Sequence, residues 1–293
     1  MDSLGGGRTY HFETPGSASV ATAGSPATSV RAASGWRGPG GRLPFDGLGA
    51  RERGMNAEVR NELVNLYVTS GLYRLAVGAE PRPEEAAGTS RALLALIQIN
   101  LAEADYNLGR WAQAEQRLAR LNEDAAPLAI TRAGLLQQRA WIAAHTGRPD
   151  LAAELCAQVS IQWLPRAYHS EYFFTRAATW LALGRLDRAA REVQSGERAA
   201  VRVSSKRNAL FLQARVAAAS GALDEAERWC RRGAAHPFRS QGGDGLLLFG
   251  DVLARLERPE EAAEAWRLAI GRDPESGSAR LAAARLGALE VRE

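Results

Sequence analysis

The residues that could do chemistry are few, and their spacing decides between catalysis and packing. Two cysteines, Cys156 and Cys230, are the only thiols in 293 residues, too few for a disulfide framework. Each stands nine positions after a glycine, Gly147 and Gly221, and the equivalent positions elsewhere hold Leu118, Val193 and Trp266. A position that accepts Leu, Val, Trp or Cys is an apolar packing position, so both thiols are expected in the core. The four histidines, His11, His145, His169 and His236, have no ligand spacing with carboxylates or thiols, and no metal site is expected. The acidic pairs Asp224-Glu225 and Glu260-Glu261 fall where helices begin, where carboxylates favour the helix dipole without any catalytic role. Gly242-Gly243-Asp244-Gly245 lacks the preceding strand and the Gly-Lys-Ser/Thr of a phosphate loop, so it reads as a linker. No catalytic constellation emerges, and neither an enzyme nor a cofactor is expected.

Bulk composition narrows the class further. Hydrophobic residues make up 46%, with Ala and Leu prominent, which favours helix. The net charge is only +4, although Lys206 is the sole lysine among 37 basic residues and the arginines lift the pI to about 9.4. From Met55 onward, 31 basic residues face 29 acidic ones, without the basic excess of a nucleic-acid binder. No apolar run is long enough for a membrane span and no secretory signal opens the chain, so a cytoplasmic protein is expected. Residues 1–54 are rich in Gly, Ala, Ser and Pro without helical or strand spacing, and are expected to be disordered. Three readings of that segment stand: a functional tail, an organelle-targeting sequence, or a chain that really starts at Met55.

The elements that position side chains are repeats. Gly71, Gly109, Gly147, Gly184, Gly221 and Glu257 are separated by 38, 38, 37, 37 and 36 residues. Five positions after each stands an alanine: Ala76, Ala114, Ala152, Ala189, Ala226 and Ala262. Seven before the last five stand Ala102, Ala140, Ala177, Ala214 and Gly250. Two helices joined by a tight glycine turn need small residues at their contact, and each pair leaves an apolar face for the next pair to bury. The expected units are 56–79, ended by Pro81-Arg82-Pro83; then 84–108 with 111–121, 130–145 with 149–159, and 168–183 with 186–199. Units 205–220 with 223–234 and 246–256 with 259–270 follow, before a capping helix at 276–289.

This pattern resembles the tetratricopeptide repeat, a helix-turn-helix unit of about 34 residues. The likeness rests on the small residue late in the first helix, the turn glycine, the alanine of the second helix and the closing Asp273-Pro274. The period here is longer, and Arg139 and Arg176 stand where that family usually has Leu. The resemblance covers about residues 56–293 and implies an all-α fold: a right-handed α-α superhelix of about six pairs with a C-terminal cap. It further implies that the first helices line a concave groove. By phase, the groove positions are Ile99, Glu103, Tyr106 and Asn107; Gln137, Trp141 and His145; Phe174; Phe211 and Arg215; and Leu247, Asp251 and Arg255. The stripe Tyr106, Trp141, Phe174 and Phe211 would suit a helix or an extended peptide, with packing between helices as the competing role. Asn61, Asn65 and Asn100 match a carboxylate clamp of some family members, but the partner lysines are missing and that use is not expected. The implied function is a non-catalytic scaffold for a protein or peptide partner, with a regulatory sensor of a small ligand or signalling peptide as the alternative.

Overall fold

The computed structural model describes residues 56–121, 128–238 and 243–290, so the expected disorder of 1–54 lies outside the described residues. All regular structure among the described residues is helical. The helices are α1 Ala57–Thr69, α2 Tyr73–Gly78, α3 Pro83–Ala87, α4 Arg91–Asn107 and α5 Trp111–Ala119. Next come α6 Ala129–His145, α7 Pro149–Ala157, α8 His169–Ala182, α9 Leu186–Ala199 and α10 Val203–Ala219. The last are α11 Leu223–Ala235, α12 Gly243–Arg255, α13 Pro259–Arg272 and α14 Gly277–Glu290.

The six phased turns share one geometry. Their glycines have φ between +68° and +83°, and Glu257 adopts the same left-handed conformation at +59°. In each turn the amide of the following residue reaches back five positions, as from Arg110 to the Asp105 carbonyl and from Arg258 to that of Leu253. The six bonds span 2.8 to 3.0 Å, the long hydrogen bond of a Schellman cap, which satisfies orphan carbonyls and turns the chain back. The alanines five positions on, and Ala102, Ala140, Ala177 and Ala214, are completely buried. Gly250 has its own reason: a Cβ there would run into the Trp266 indole. Helix pairs therefore meet at near-backbone separation, and successive pairs pack side by side, as α7 does on α8 and α9 on α10.

Two expectations fail for local reasons. The long helix 84–108 is two helices. The Glu85 carboxylate accepts from the Arg82 amide at 3.0 Å to close α3 at its start, and Ser90 caps a new helix through the Leu93 amide. Nor are Gly243, Asp244 and Gly245 linker residues: they form the first turn of α12. Packing overrides propensity there, because a Cβ on Gly245 would stand 2.5 Å from the Phe211 ring.

The chain also comes back on itself. The Tyr73 hydroxyl donates to Asp273 Oδ2 at 3.1 Å, and the Arg74 amide donates to Glu275 Oε2 at 3.3 Å. Arg280 donates to the Leu108 carbonyl, and a Cβ on Gly277 would lie 3.2 Å from the Gly109 Cα. The segment from Asp273 through α14 thus rests on the turns of the first two full pairs.

Candidate functional site

The second helices bury almost only apolar and small residues. The buried polar residues fall elsewhere: on α1 (Arg60, Asn61, Asn65), α4 (Asn100, Glu103, Asp105, Asn107) and α6 (Thr131, Gln137, Gln138). They continue on α8 (Ser170, Glu171, Thr175, Thr179), α10 (Ser205, Arg207) and the returning segment (Asp273, Ser276, Ser278). Among the described residues none lies on a second helix. A core built only for stability avoids such groups, because each must recover the hydration it loses.

The inner faces of the first helices converge across more than one unit. Arg215 of α10 reaches past α8 to His145 of α6, with Nη1 at 3.3 Å from the imidazole Nε2. His145 Nδ1 lies 2.8 Å from the Trp141 carbonyl. A guanidinium can only donate, so the contact with Arg215 is a hydrogen bond when Nε2 accepts and Nδ1 donates to the Trp141 carbonyl. Its ring stacks at a tilt on Trp141, centroids 4.2 Å apart, and meets Tyr106 edge-on at 6.0 Å. Arg215 also pairs with Asp244 at 3.3 Å. Burial pushes the Asp244 carboxyl up, against the pull of Arg215 and Arg207.

A narrow cavity of about 30 Å³ opens here, room for about two waters. Trp141, Phe174, Phe211 and Leu212 form its apolar wall, and Glu171, Asn208, Arg215 and Asp244 its polar one. Glu171 is held by two serines: Ser170 Oγ donates to Oε2 and Ser205 Oγ to Oε1, both at 2.6 Å. The two phenylalanines are wedges. Phe174 fits against Gly196, and the Phe211 ring lies between Gly233 and Gly245, each glycine sitting where a Cβ would overlap the ring.

The stripe of groove residues is therefore partly assembled, though not as an open surface. Trp141, Phe174, Phe211 and Arg215 share the cavity, and His145 and Tyr106 adjoin it. Nine of the thirteen residues are buried: Ile99, Glu103, Tyr106, Asn107, Gln137, Trp141, Phe174, Phe211 and Leu247. Contacts between units cover them, as where Arg215 of α10 meets His145 of α6. Ile99 and Leu247 belong to separate apolar clusters at opposite ends of the chain. The Asn107 amide donates to the Glu103 carbonyl at 2.9 Å, while neither amide atom of Gln137 has a hydrogen-bond partner among the described residues. Asp251 accepts from Trp266 at 3.2 Å and pairs with Arg285 at 3.4 Å, and Arg255 donates to the Ala218 carbonyl at 3.2 Å. Those two serve helix packing away from the cavity.

Phase could have found the missed polar wall. Glu171, Asn208 and Asp244 each stand thirteen positions before the turn residue of their unit, Gly184, Gly221 and Glu257. The cysteines are buried in separate apolar clusters, with Cys156 Sγ 3.6 Å from Thr179 Oγ1 and the Cys230 thiol pushed up to about 12 by burial. Among the described residues no cluster of His, Cys, Asp and Glu could hold a metal ion, and no helix is long and apolar enough to cross a membrane. Compared with known proteins, this chain matches no family and no curated protein.

Proposed function

We propose that this chain is a non-catalytic scaffold of tetratricopeptide-like helix pairs, wound as a right-handed superhelix, that holds a peptide or helix of a protein partner on the inner faces of its first helices. The observation that carries the reading is the segregation of buried polar residues onto those helices and the returning segment. Second helices supply the frame, with phased alanines and capped turns; first helices carry Glu103, Gln137, Glu171, Arg207 and Arg215 at a cost that packing alone does not require. The reading places the protein in the cytoplasm. Access to the inner faces comes by separating the returning segment, Asp273 and Glu275 from Tyr73 and Arg74 and Gly277 and Arg280 from the Gly109 turn, a largely polar seam and so the easiest to part.

The mixed aromatic and polar lining of the cavity favours one second reading, a regulatory domain that senses a small ligand or signalling peptide. At about 30 Å³ the cavity admits little more than water, so such a ligand would also have to part the same seam.

The test is capture of partners from the native host with tagged protein. Glu171→Gln and Arg215→Gln, with melting temperatures close to that of the unaltered protein, should lose the captured partner. Arg191→Ala and Arg228→Ala, at exposed positions of second helices, should retain it. Equal capture by all four variants would remove the inner face from the account. A thermal shift with one compound and no captured protein would favour the sensor.

A further inference from the structure

We propose that the Glu171 cavity takes a primary ammonium on an apolar stem, the side chain of a lysine in the bound peptide. The proposal rests on the scaffold reading and names the residue type that its groove anchors.

Charge is the first argument. Glu171 is 6% exposed, and its two oxygens accept only from neutral serine hydroxyls. Among the described residues no Arg or Lys pairs with it. Asp244, by contrast, is matched by Arg215 across the same cavity. The lining thus sets two carboxyl groups, Glu171 and Asp244, against one guanidinium, and the other nearby cation, Arg207, also acts on Asp244. An ionised carboxylate offers about four acceptor positions, and the serines use two.

Size is the second. A cavity with room for about two waters accepts the ammonium alone, a compact charge close to one water in size, and the stem enters once the seam of the returning segment has parted. A guanidinium is a planar fork with three nitrogens and exceeds that space. The walls are the third argument. Trp141, Phe174 and Phe211 present aromatic surface to the cavity, which attracts a desolvated cation and covers a methylene stem. The two phenylalanine rings are preorganised, since Gly196, Gly233 and Gly245 hold them in place, so the ligand need not order this part of the wall.

The test titrates the full chain with acetyl-Ala-Lys-Ala-amide and follows the Trp141 indole N–H by nuclear magnetic resonance, assigned through its loss in Trp141→Phe. The lysine peptide should shift that signal saturably, the norleucine analogue should not, and Glu171→Gln should weaken binding by tenfold or more. An arginine peptide should bind at least tenfold more weakly than the lysine peptide. Equal response to norleucine, unchanged binding in Glu171→Gln, or preference for arginine overturns the proposal. n-Butylamine binding as tightly as the lysine peptide assigns the site to a free amine and also overturns it. If Glu171→Gln loses captured partners while no lysine peptide binds, the scaffold stands and the ammonium site falls; if lysine binds and no partner is captured, the reverse holds.

Discussion

Phe211 has two incompatible descriptions, a groove contact for a partner or a wedge between helices, and stability can separate them. Its ring lies between Gly233 of α11 and Gly245 of α12. A Cβ on Gly233 would stand 2.8 Å from both Cε1 and Cζ, and the ring cannot retreat because Gly245 is against its other side. Replacing a helical glycine by alanine normally stabilises by about 0.5–1 kcal/mol. Overpacking a filled site costs about 1–3 kcal/mol, so Gly233→Ala should destabilise by about 1 kcal/mol or more. Phe211→Ala alone should cost about 3–5 kcal/mol, as a void opens. In the double variant the clash is gone and the new methyl enters the void, so Gly233→Ala should there be stabilising by about 0.5–1 kcal/mol. The two changes thus couple by about 2 kcal/mol, well above the additivity error of about 0.5 kcal/mol. Urea unfolding followed by far-ultraviolet circular dichroism, with unchanged slopes, measures all four corners of the cycle. Additive effects would refute the wedge.

Further predictions concern the turns, the seam and the thiols. Glu257→Gly should raise stability by up to about 1 kcal/mol by relieving left-handed strain, seen as a higher melting temperature. Gly147→Ala meets no atom within 4 Å and should show the backbone cost alone, whereas at Gly109 the methyl also meets the Arg280 guanidinium, so Gly109→Ala should lose more. Asp273 is pushed up to about 7, chiefly by burial, with Asp244 and Glu275 adding and Tyr73 and Arg207 opposing. A carboxyl whose folded value is raised contributes stability that is complete below about pH 4 and lost as pH rises through 7. Unfolding midpoints should therefore fall over that interval, and Asp273→Asn should flatten the fall; an unchanged pH profile would contradict the buried seam. A thiol reagent at pH 8 should leave Cys230 unmodified in the folded protein and modify it after denaturation.

What could be read from the chain alone was what each unit repeats locally. The turn position must adopt positive φ whether it is Gly109 or Glu257, and a facing residue such as Ala140 must be small, so backbone constraint and close packing leave a periodic record. What could not be read depends on contacts between units. The return of α14 to Gly109 joins residues about 170 positions apart, a contact that no single repeat encodes. The first turn of α12 reads as a linker because its glycines answer to distant neighbours, Gly245 to the Phe211 ring 34 positions earlier and Gly243 to Asp273 and Ala269. Burial of Phe174 and Phe211 likewise depends on glycines of other helices, Gly196, Gly233 and Gly245. Arg215 of the polar wall follows from phase, whereas Glu171, Asn208 and Asp244 share a second phase that Glu, Asn and Asp do not mark as a single residue pattern.

The most direct measurement of the central claim is hydrogen exchange on the chain with and without its captured partner. The account predicts slower exchange along α4, α6, α8 and α10, where the inner faces lie, with α5, α7, α9 and α11 unchanged. Protection confined to those second helices, with the first helices exchanging as before, would contradict it.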